Sequence, residues 1–194
     1  MDLIEMAVFL GNYGTQYKKN RHNAAWLFAD SVSALSCANW SAKFKGEAAS
    51  ITAGGRKIQL LKPHTFMNLS GESIVPAASF YKIKPERILI VHDELELPAG
   101  TFGLKYAGGL GGHNGLRSAK SCLGTADFWR LRFGIGRPPH DDVSSWVLGD
   151  FSSGEKAAMN AAFEAATPLF EALLTQEPDS LLDKWKKVKA NLDE

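Results

Sequence analysis

The chain lacks the sequence signs of several large protein classes. Its 194 residues include only two cysteines, Cys37 and Cys122, with no CxxC or cysteine–histidine metal spacing. We interpret both as small buried hydrophobic residues of a protein from a reducing compartment. No apolar run approaches the roughly 18 residues of a membrane span. The first six residues contain acids and no basic stretch, so we predict no secretory signal.

An excess of charge of either sign is also missing. The formal net charge is +1, so global charge does not require a polyanionic partner. Binding to nucleic acid would need basic residues gathered on one face. The composition, 45% hydrophobic and 22% charged, is that of an ordinary globular protein. The length favours one domain over residues 1–194.

Motifs for covalent catalysis, metals and nucleotide cofactors are absent as well. No serine or cysteine stands in an obvious nucleophile motif, and no two histidines have HExxH spacing. The glycine-rich residues 108–112 lack the P-loop lysine and the strand-adjacent GxGxxG register. We therefore predict no cofactor and no metal, and we interpret these glycines as a loop that lets backbone approach a ligand.

Strands and helices alternate along the chain, which predicts an α/β protein with a mixed β-sheet and helices packed on both faces. Residues 88–91, Ile-Leu-Ile-Val, are the clearest strand and suit a central position. The motif Ser152-x-x-Glu155 is a capping box that opens a long helix to about residue 174. Further strands are predicted at residues 6–10, 101–105 and 129–135, a hairpin at 42–52 and 57–61, and helices from 23, at 70–81, 116–123 and 178–191.

Amide side chains recur beside histidine or glycine in four short blocks, and a carboxylate follows the predicted central strand. An amide can hold a carbonyl and donate to a developing oxyanion. An imidazole can take a proton from water, and an aspartate can orient that imidazole. The pattern therefore predicts hydrolysis by an activated water. The blocks are Gly11-Asn12-Tyr13-Gly14, Arg21-His22-Asn23, Met67-Asn68-Leu69-Ser70-Gly71, Gly111-Gly112-His113-Asn114-Gly115 and His92-Asp93-Glu94.

Each of these residues also has a purely structural interpretation. His22 at a helix start could be a cap, although the helix dipole there favours the neutral imidazole that a base needs. Asn68 and Asn114 could be capping residues, Asp93 a turn residue, and Glu94 a solvated charge. Asn12 and Asp93 each follow a predicted strand, and ligands of α/β sheets bind at the carboxyl ends of strands. The lysines at 184, 186, 187 and 189 could simply match a helix dipole.

Taken together, the blocks resemble bacterial peptidyl-tRNA hydrolase from about residue 7 to residue 189. The pieces that carry the resemblance are Gly11-Asn12-x-Gly14, Tyr17 with Arg21-His22-Asn23-Ala24, Lys62-Pro63-x-Thr65-Phe66-Met67-Asn68-Leu69-Ser70-Gly71, Tyr81-Lys82-Ile83, His92-Asp93-Glu94-Leu95, Leu97-Pro98-x-Gly100, Gly111-Gly112-His113-Asn114-Gly115-Leu116 and Arg130-Leu131-Arg132-x-Gly134-Ile135-Gly136-Arg137-Pro138.

The resemblance implies a cytoplasmic, monomeric, cofactor-free esterase that cleaves the bond between a peptide and the 3′ ribose of tRNA and so releases tRNA for reuse. It implies that His22 is the general base and that Asp93 orients it. Asn12 and Asn68 would position peptide and water, and Asn114 would hold the water or stabilise the oxyanion.

The resemblance also implies binding residues. Tyr17, Phe66, Met67 and His113 would contact the substrate near the ester. Lys105 and Arg132 match positions that hold the tRNA 5′-phosphate. The C-terminal lysines, Lys184 and Lys187 among them, would add affinity for the tRNA backbone and acceptor stem without reading its sequence.

The chain departs from the family pattern near Asn12. Tyr13 stands where the family usually has proline, and Phe9 and Ala25 stand where glycine is common. Asn20 replaces a common threonine. Two other hypotheses fit part of the pattern: an RNA-binding module that keeps the fold without turnover, as in plant organelle relatives, and a metal-dependent hydrolase of another ester.

Overall fold

A mixed β-sheet forms the centre of the computed structural model, which describes residues 3–139 and 142–190. Within these residues eight strands follow the order β2-β3-β4-β1-β5-β7-β6-β8. Their bounds are β1 Met6–Phe9, β2 Ser41–Lys43, β3 Gly46–Ala53, β4 Arg56–Pro63, β5 Ile88–Glu94, β6 Thr101–Tyr106, β7 Trp129–Gly134 and β8 Val188–Lys189.

The four central strands β4, β1, β5 and β7 run parallel to one another. Their carboxyl ends therefore lie along one edge of the sheet, which we call the carboxyl edge. β5 is buried along its whole length, which confirms that residues 88–91 belong to a central strand. Loops that follow parallel strands converge at this edge, the usual place for a ligand site in an α/β protein.

Helices pack on both faces of the sheet, as predicted. On one face α1 and α6 cover side chains such as Phe9 and Leu89, and on the other α3 and α4 cover Val8 and Ile90. Alternate residues of β1 and β5 enter opposite cores, because successive strand side chains point to opposite faces. The helices are α1 Ala24–Ser31, α2 Ser33–Ser36, α3 Gly71–Tyr81, α4 Asn114–Leu123, α5 Val143–Leu148, α6 Ser153–Leu173 and α7 Asp179–Trp185.

The capping box predicted at the start of α6 is present in full. The Ser152 hydroxyl accepts from the Glu155 N–H at 3.3 Å, and the Glu155 carboxylate accepts from the Ser152 N–H at 2.7 Å. Two backbone donors that the helix itself cannot satisfy thus have partners.

Several sequence predictions about elements were wrong. The strand predicted at residues 42–52 is divided by a turn at Phe44 and Lys45, both with positive φ. The final helix ends at Trp185 instead of residue 191, which lies outside the described residues. Val188–Lys189 instead pairs with the start of β6. The predicted loop at 136–142 is followed at once by α5, which was not predicted.

Both cysteines were also predicted wrongly, because Cys37 and Cys122 are exposed. Each lies at the end of a helix, where the last turn faces solvent, so local periodicity overstated its burial. None of the described helices is both long and apolar enough to cross a membrane.

Candidate active site

A cavity of about 510 Å³ opens at the carboxyl edge of the sheet. Its walls come from the segments that follow β1, β4 and β5, from the start of α4, and from α5. All nine residues predicted for catalysis or for contact near the ester line it: Asn12, Tyr17, His22, Phe66, Met67, Asn68, Asp93, His113 and Asn114. The cavity therefore brings together side chains from blocks that are up to 102 residues apart in the sequence.

His22 and Asp93 form a buried hydrogen-bonded pair. His22 lies in a short 3₁₀ turn, Arg21–Asn23, that leads into α1, and Asp93 is the sixth residue of β5. His22 Nδ1 lies 2.9 Å and 3.0 Å from the two carboxylate oxygens of Asp93. His22 Nε2 bonds to none of the described residues. When Nδ1–H donates to Asp93, the Nε2 lone pair is available to accept a proton in the cavity.

His113 makes a second hydrogen bond to the same carboxylate. Its Nε2 lies 2.9 Å from Asp93 Oδ1, while its Nδ1 accepts from the N–H groups of Gly115 and Leu116 at the start of α4. A ring that accepts at Nδ1 carries its proton at Nε2, so His113 donates to Asp93. His113 is thus the N-cap of α4. The alternative that Asn114 caps this helix was wrong, because Asn114 is its first residue.

The charges of these groups depend on one another. Burial acts to raise the pKa of Asp93, but the charges and hydrogen bonds of His22 and His113 hold that pKa well below its ordinary value. Burial acts to lower the pKa of His22, and the adjacent Asp93 carboxylate more than reverses this, so the pKa lies above 6.5. His92, fully buried behind His113, has its pKa lowered well below 6.5 by burial and by the charge of His113.

Asn12 is fixed in place by the side chain of Asn23, which stands at the predicted start of the first helix. The Asn23 side chain accepts from the Asn12 N–H at 2.7 Å and donates to the Asn12 carbonyl at 3.0 Å. Asn12 Oδ1 accepts from the Met67 N–H at 2.9 Å. Its Nδ2 bonds to none of the described residues, so this amide can donate into the cavity. Asn23 itself makes no capping bond.

The other two amides stand at the mouth of the cavity. Asn68 lies in the 3₁₀ turn Met67–Leu69 and Asn114 in the first turn of α4, and both are exposed. Phe66 is 64% exposed beside them, whereas Met67 is buried. A Cβ on Gly115 would lie 2.6 Å from the Met67 sulfur, so only glycine lets α4 approach this wall so closely. The two amides are thereby held facing one cavity.

Helix α5 forms the wall that the sequence analysis missed. Val143, Ser144, Val147 and Leu148 line the cavity. The Asp142 side chain accepts from the Ser145 N–H at 3.0 Å, a capping pattern that the sequence contains and that could have indicated a helix start.

Arg21, the neighbour of His22, attaches α5 to the rest of the site. Its guanidinium carbon lies 3.7 Å from the centre of the Trp146 ring, and Nη2 donates to Glu155 at 2.8 Å. Nη1 donates to the Trp146 carbonyl at 3.3 Å. One side chain therefore connects the turn that carries His22, α5 and the start of α6.

Three cations lie together on β6 and β7, outside the cavity. Lys105 and Arg132, which the sequence analysis assigned to phosphate, share this place with buried Arg130. Burial and the neighbouring arginines lower the pKa of Lys105, and burial together with Arg132 lowers the pKa of Arg130 to about 10. Glu94 was predicted to be solvated, but it is buried and lies 3.9 Å from Arg132. The cations outnumber this acid, so the cluster suits an anion.

The remaining predicted tRNA contacts lie next to this cluster. Lys184 is exposed near the end of α7, with its ammonium 5.2 Å from the centre of the Trp185 ring, and Lys187 is exposed just beyond the helix. Arg132 Nη2 donates to the Lys186 carbonyl at 3.0 Å, which holds this segment beside β7.

His22, Asp93 and His113 also present ligand atoms within 4.8 Å of one another, as a metal site would. The nitrogen–oxygen distances of 2.9 Å are those of direct hydrogen bonds, so the three side chains form a hydrogen-bonded chain as they stand. An imidazole that is hydrogen-bonded in this way to a carboxylate has the arrangement that general-base catalysis uses.

Comparison with known proteins agrees with this geometry. A family model described as peptidyl-tRNA hydrolase matches residues 6–193. The peptidyl-tRNA hydrolase of Treponema pallidum (strain Nichols) is 44% identical over 192 residues, 95% of each chain. That of Trichlorobacter lovleyi is 46% identical over 177 residues, 91% of each chain. A crystal structure of a mutant peptidyl-tRNA hydrolase from Acinetobacter baumannii, 37% identical, has a TM-score of 0.89 over 96% of this chain and 97% of that one.

Proposed function

The chain belongs to the peptidyl-tRNA hydrolase family, and from this membership we propose that it cleaves its ester by a water molecule that His22 activates. Members of the family are carboxylic ester hydrolases whose substrate is peptidyl-tRNA. The observation that carries the proposal is the buried His22–Asp93 pair with its free Nε2 at the wall of a cavity.

In the first step, His22 Nε2 takes a proton from water while the water oxygen attacks the ester carbonyl carbon. The 2.9 Å bond to Asp93 supports this role, because the carboxylate fixes the tautomer of His22 and stabilises the imidazolium that forms. The adjacent Asp93 carboxylate raises the pKa of His22, which makes the neutral imidazole a stronger base.

Attack converts the carbonyl into a tetrahedral intermediate with a negatively charged oxygen. We assign the Nδ2 group of Asn12 and the exposed amides of Asn68 and Asn114 to hold the ester, the water and this oxyanion. Collapse of the intermediate breaks the bond to the 3′ oxygen, which takes the proton from His22. The products are a peptide carboxylic acid and tRNA with a free 3′ hydroxyl. Loss of one oxyanion donor costs roughly 10²–10³-fold in rate.

Binding of the tRNA is assigned to the cations beside the cavity. We propose that Lys105 and Arg132 hold the 5′-phosphate and that Lys184 and Lys187 contact the acceptor stem. Their support is their position: three cations lie on β6 and β7 with the acid Glu94 beside Arg132, and a lysine-bearing segment is held against Arg132. We further propose that the protein works as a monomer in the cytoplasm, where tRNA is used.

The decisive experiment compares hydrolysis of N-acetyl-aminoacyl-tRNA by the wild type and by His22→Ala. General-base catalysis typically supplies 10²–10⁴-fold, so we expect a loss of about that size. Lys57→Ala is the control, because it makes the same truncation at an exposed position at the start of β4, outside the cavity, and should retain full activity.

Equal activity of the wild type and His22→Ala would contradict the role of His22. If the wild type bound tRNA without cleaving the ester, the protein would be an RNA-binding module instead. Loss of wild-type activity in EDTA, with recovery in zinc, would support a metal-dependent hydrolase.

A further inference from the structure

Three aromatic rings form a stack just outside the cavity. Tyr13, 57% exposed, lies face to face with His64, with ring centroids 4.3 Å apart and planes inclined by 24°. The Trp26 ring lies 5.6 Å from the His64 ring, and the two planes are inclined by 45°. Tyr13 is next in the chain to Asn12, and His64 is two residues before Phe66, and both of these neighbours line the cavity. The stack therefore begins at the rim of the active site.

The inner part of the stack is rigidly built. Trp26 Nε1 donates to the Phe9 carbonyl at 2.9 Å. A Cβ on Gly11 would lie 2.7 Å from Trp26 Nε1, so a glycine is needed where the backbone crosses this ring. His64 is half-buried, and its Nε2 lies 3.4 Å from a Glu47 carboxylate oxygen. Tyr13 thus rests on a fixed base and turns a large part of its ring to solvent.

The strand order places this stack on the side of the site away from the cations. Asp93 is on β5 and Arg132 on β7, whereas Tyr13 and His64 follow β1 and β4, which lie beyond β5 in the opposite direction. A substrate with its phosphate at Arg132 and its ester at Asp93 therefore extends its peptide towards β1 and β4.

Distances along the sheet indicate which peptide residue meets the stack. Neighbouring strands are about 4.8 Å apart, so β1 and β4 lie about 5 Å and 10 Å from β5. An extended peptide spans about 3.4 Å per residue. The second or third residue from the ester is therefore the one beside Tyr13 and His64.

We propose that Tyr13, supported by His64, binds an aromatic or large apolar side chain at the second or third peptide residue from the ester. The inference rests on the proposed function and adds a peptide preference to it. Aromatic rings interact favourably with other rings, and the exposed ring of Tyr13 offers apolar area at the rim. Because His64 already holds this ring, binding costs little side-chain conformational entropy. The acid beside the stack, Glu47, does not favour a phosphate there.

The test uses one tRNA that carries either N-acetyl-Phe-Phe-Ala or N-acetyl-Gly-Gly-Ala as its acyl group. For the wild type we expect kcat/KM to be about 2- to 10-fold higher with the Phe form, the range for one aromatic contact. In Tyr13→Ala this ratio falls to about one. Tyr13→Phe retains it, because the ring remains. Phe80→Ala, which removes an exposed aromatic ring of α3, leaves it unchanged.

The outcomes separate this inference from the function on which it rests. If the wild type cleaves neither substrate, the proposed function is wrong and the preference has no basis. If the wild type cleaves both with a ratio near one, or if the ratio persists in Tyr13→Ala, only the inference is overturned. An equal loss on both substrates in Tyr13→Ala also overturns it, because the ring would then act through Asn12 or on the tRNA.

Discussion

Asp93 is the residue on which the proposed proton transfer depends. Its carboxylate accepts hydrogen bonds from His22 Nδ1 and His113 Nε2, and it is almost completely buried. A buried carboxylate with two imidazole donors remains ionised, since both neighbours favour the charged form. The negative charge in turn favours protonation of His22, so the strength of the base is set by a residue 71 positions away.

The pH dependence of hydrolysis should follow from this pair. Only neutral His22 can accept a proton, so kcat/KM of the wild type should fall as the pH drops through a pKa above 6.5. Asp93→Asn removes the negative charge that raises the pKa of His22, and burial then lowers that pKa. The midpoint of the pH–rate profile should therefore move below 6.5. The asparagine side chain can still accept a hydrogen bond from His22 Nδ1–H. The variant therefore removes the charge at this position and keeps the hydrogen bond. The measurement is a pH–rate profile of both proteins.

We also expect Asp93→Asn to lower the maximal rate by roughly 10²–10⁴-fold. Asp127→Asn is the control, since Asp127 is exposed in the turn before β7 and bonds to Thr125. An unchanged midpoint in Asp93→Asn would show that Asp93 does not set the pKa of the catalytic base.

Asn23 should behave as a positioning residue for Asn12. Asn23→Ala leaves the Asn12 N–H and carbonyl without their buried partners, which costs about 1–3 kcal/mol of stability. Because Asn12 then loses its fixed position, kcat/KM should fall by at least about 10-fold. Thermal unfolding and hydrolysis rates measure the two effects. Asn160→Ala, at an exposed position of α6, should change neither, and a normal rate in Asn23→Ala would refute the positioning role.

Among the elements, α5 depends most on contacts outside itself. It has six residues, none of them buried, and isolated helices of this length are not stable in water. Its attachment is Arg21, which stacks on Trp146 and pairs with Glu155. The wall that α5 gives to the cavity is therefore held from outside the helix, by this arginine and by the Trp146 Nε1–H, which donates to the Gly136 carbonyl at 2.9 Å.

Removal of this attachment should loosen α5 selectively. In Arg21→Gln we expect amide hydrogen exchange in α5 to become about 10-fold faster. This factor corresponds to the free energy that a cation–π contact and a part-buried ion pair contribute together. KM should rise more than kcat falls, because Val147 and Leu148 line the cavity and we expect them to contact the substrate away from the reacting atoms. Arg137→Gln, which removes an exposed ion pair with Glu96, is the control and should leave both unchanged. Equal exchange rates would contradict the attachment.

The elements that the sequence predicts are those with a strong local signal. β5 is a continuous apolar run and α6 begins with a complete capping box, so neither needs tertiary information. β8 follows a helix whose apolar spacing continues through Val188, and only its pairing with Thr101 and Phe102 makes it a strand. α5 is short and follows two prolines, and one of the residues that hold it, Arg21, lies more than 100 residues earlier in the chain.

At the scale of the whole molecule, the net charge is small but the positive charges are gathered in one place. The net charge is only +1, yet Lys105, Arg130 and Arg132 lie together on two adjacent strands. The sequence indicated two of these residues through the family resemblance. It could not indicate Arg130, whose guanidinium donates to the Gly109 carbonyl, because the partner is known only once β7 lies beside the glycine-rich loop.

The salt dependence of KM should report on this cluster. Each lost phosphate contact reduces the slope of log affinity against log salt concentration by about 0.7–0.9. We therefore expect Lys105→Ala and Arg132→Ala each to raise KM and to flatten its salt dependence by about that amount. Lys57→Ala is the control, since Lys57 lies at the start of β4, at the opposite end of the strands from the carboxyl edge. Unchanged slopes in both variants would remove these residues from phosphate binding.

A tight turn joins β3 and β4 at the end of the sheet opposite the active site. Gly54 and Gly55 form it with positive φ, and both are exposed. Because β4 runs parallel to β1, this turn is at the far end from every side chain assigned to substrate, and exposed glycine turns are where inserted segments are best tolerated. An affinity tag inserted there would attach the enzyme to a sensor surface with its catalytic mouth turned outward, open to a molecule as large as tRNA.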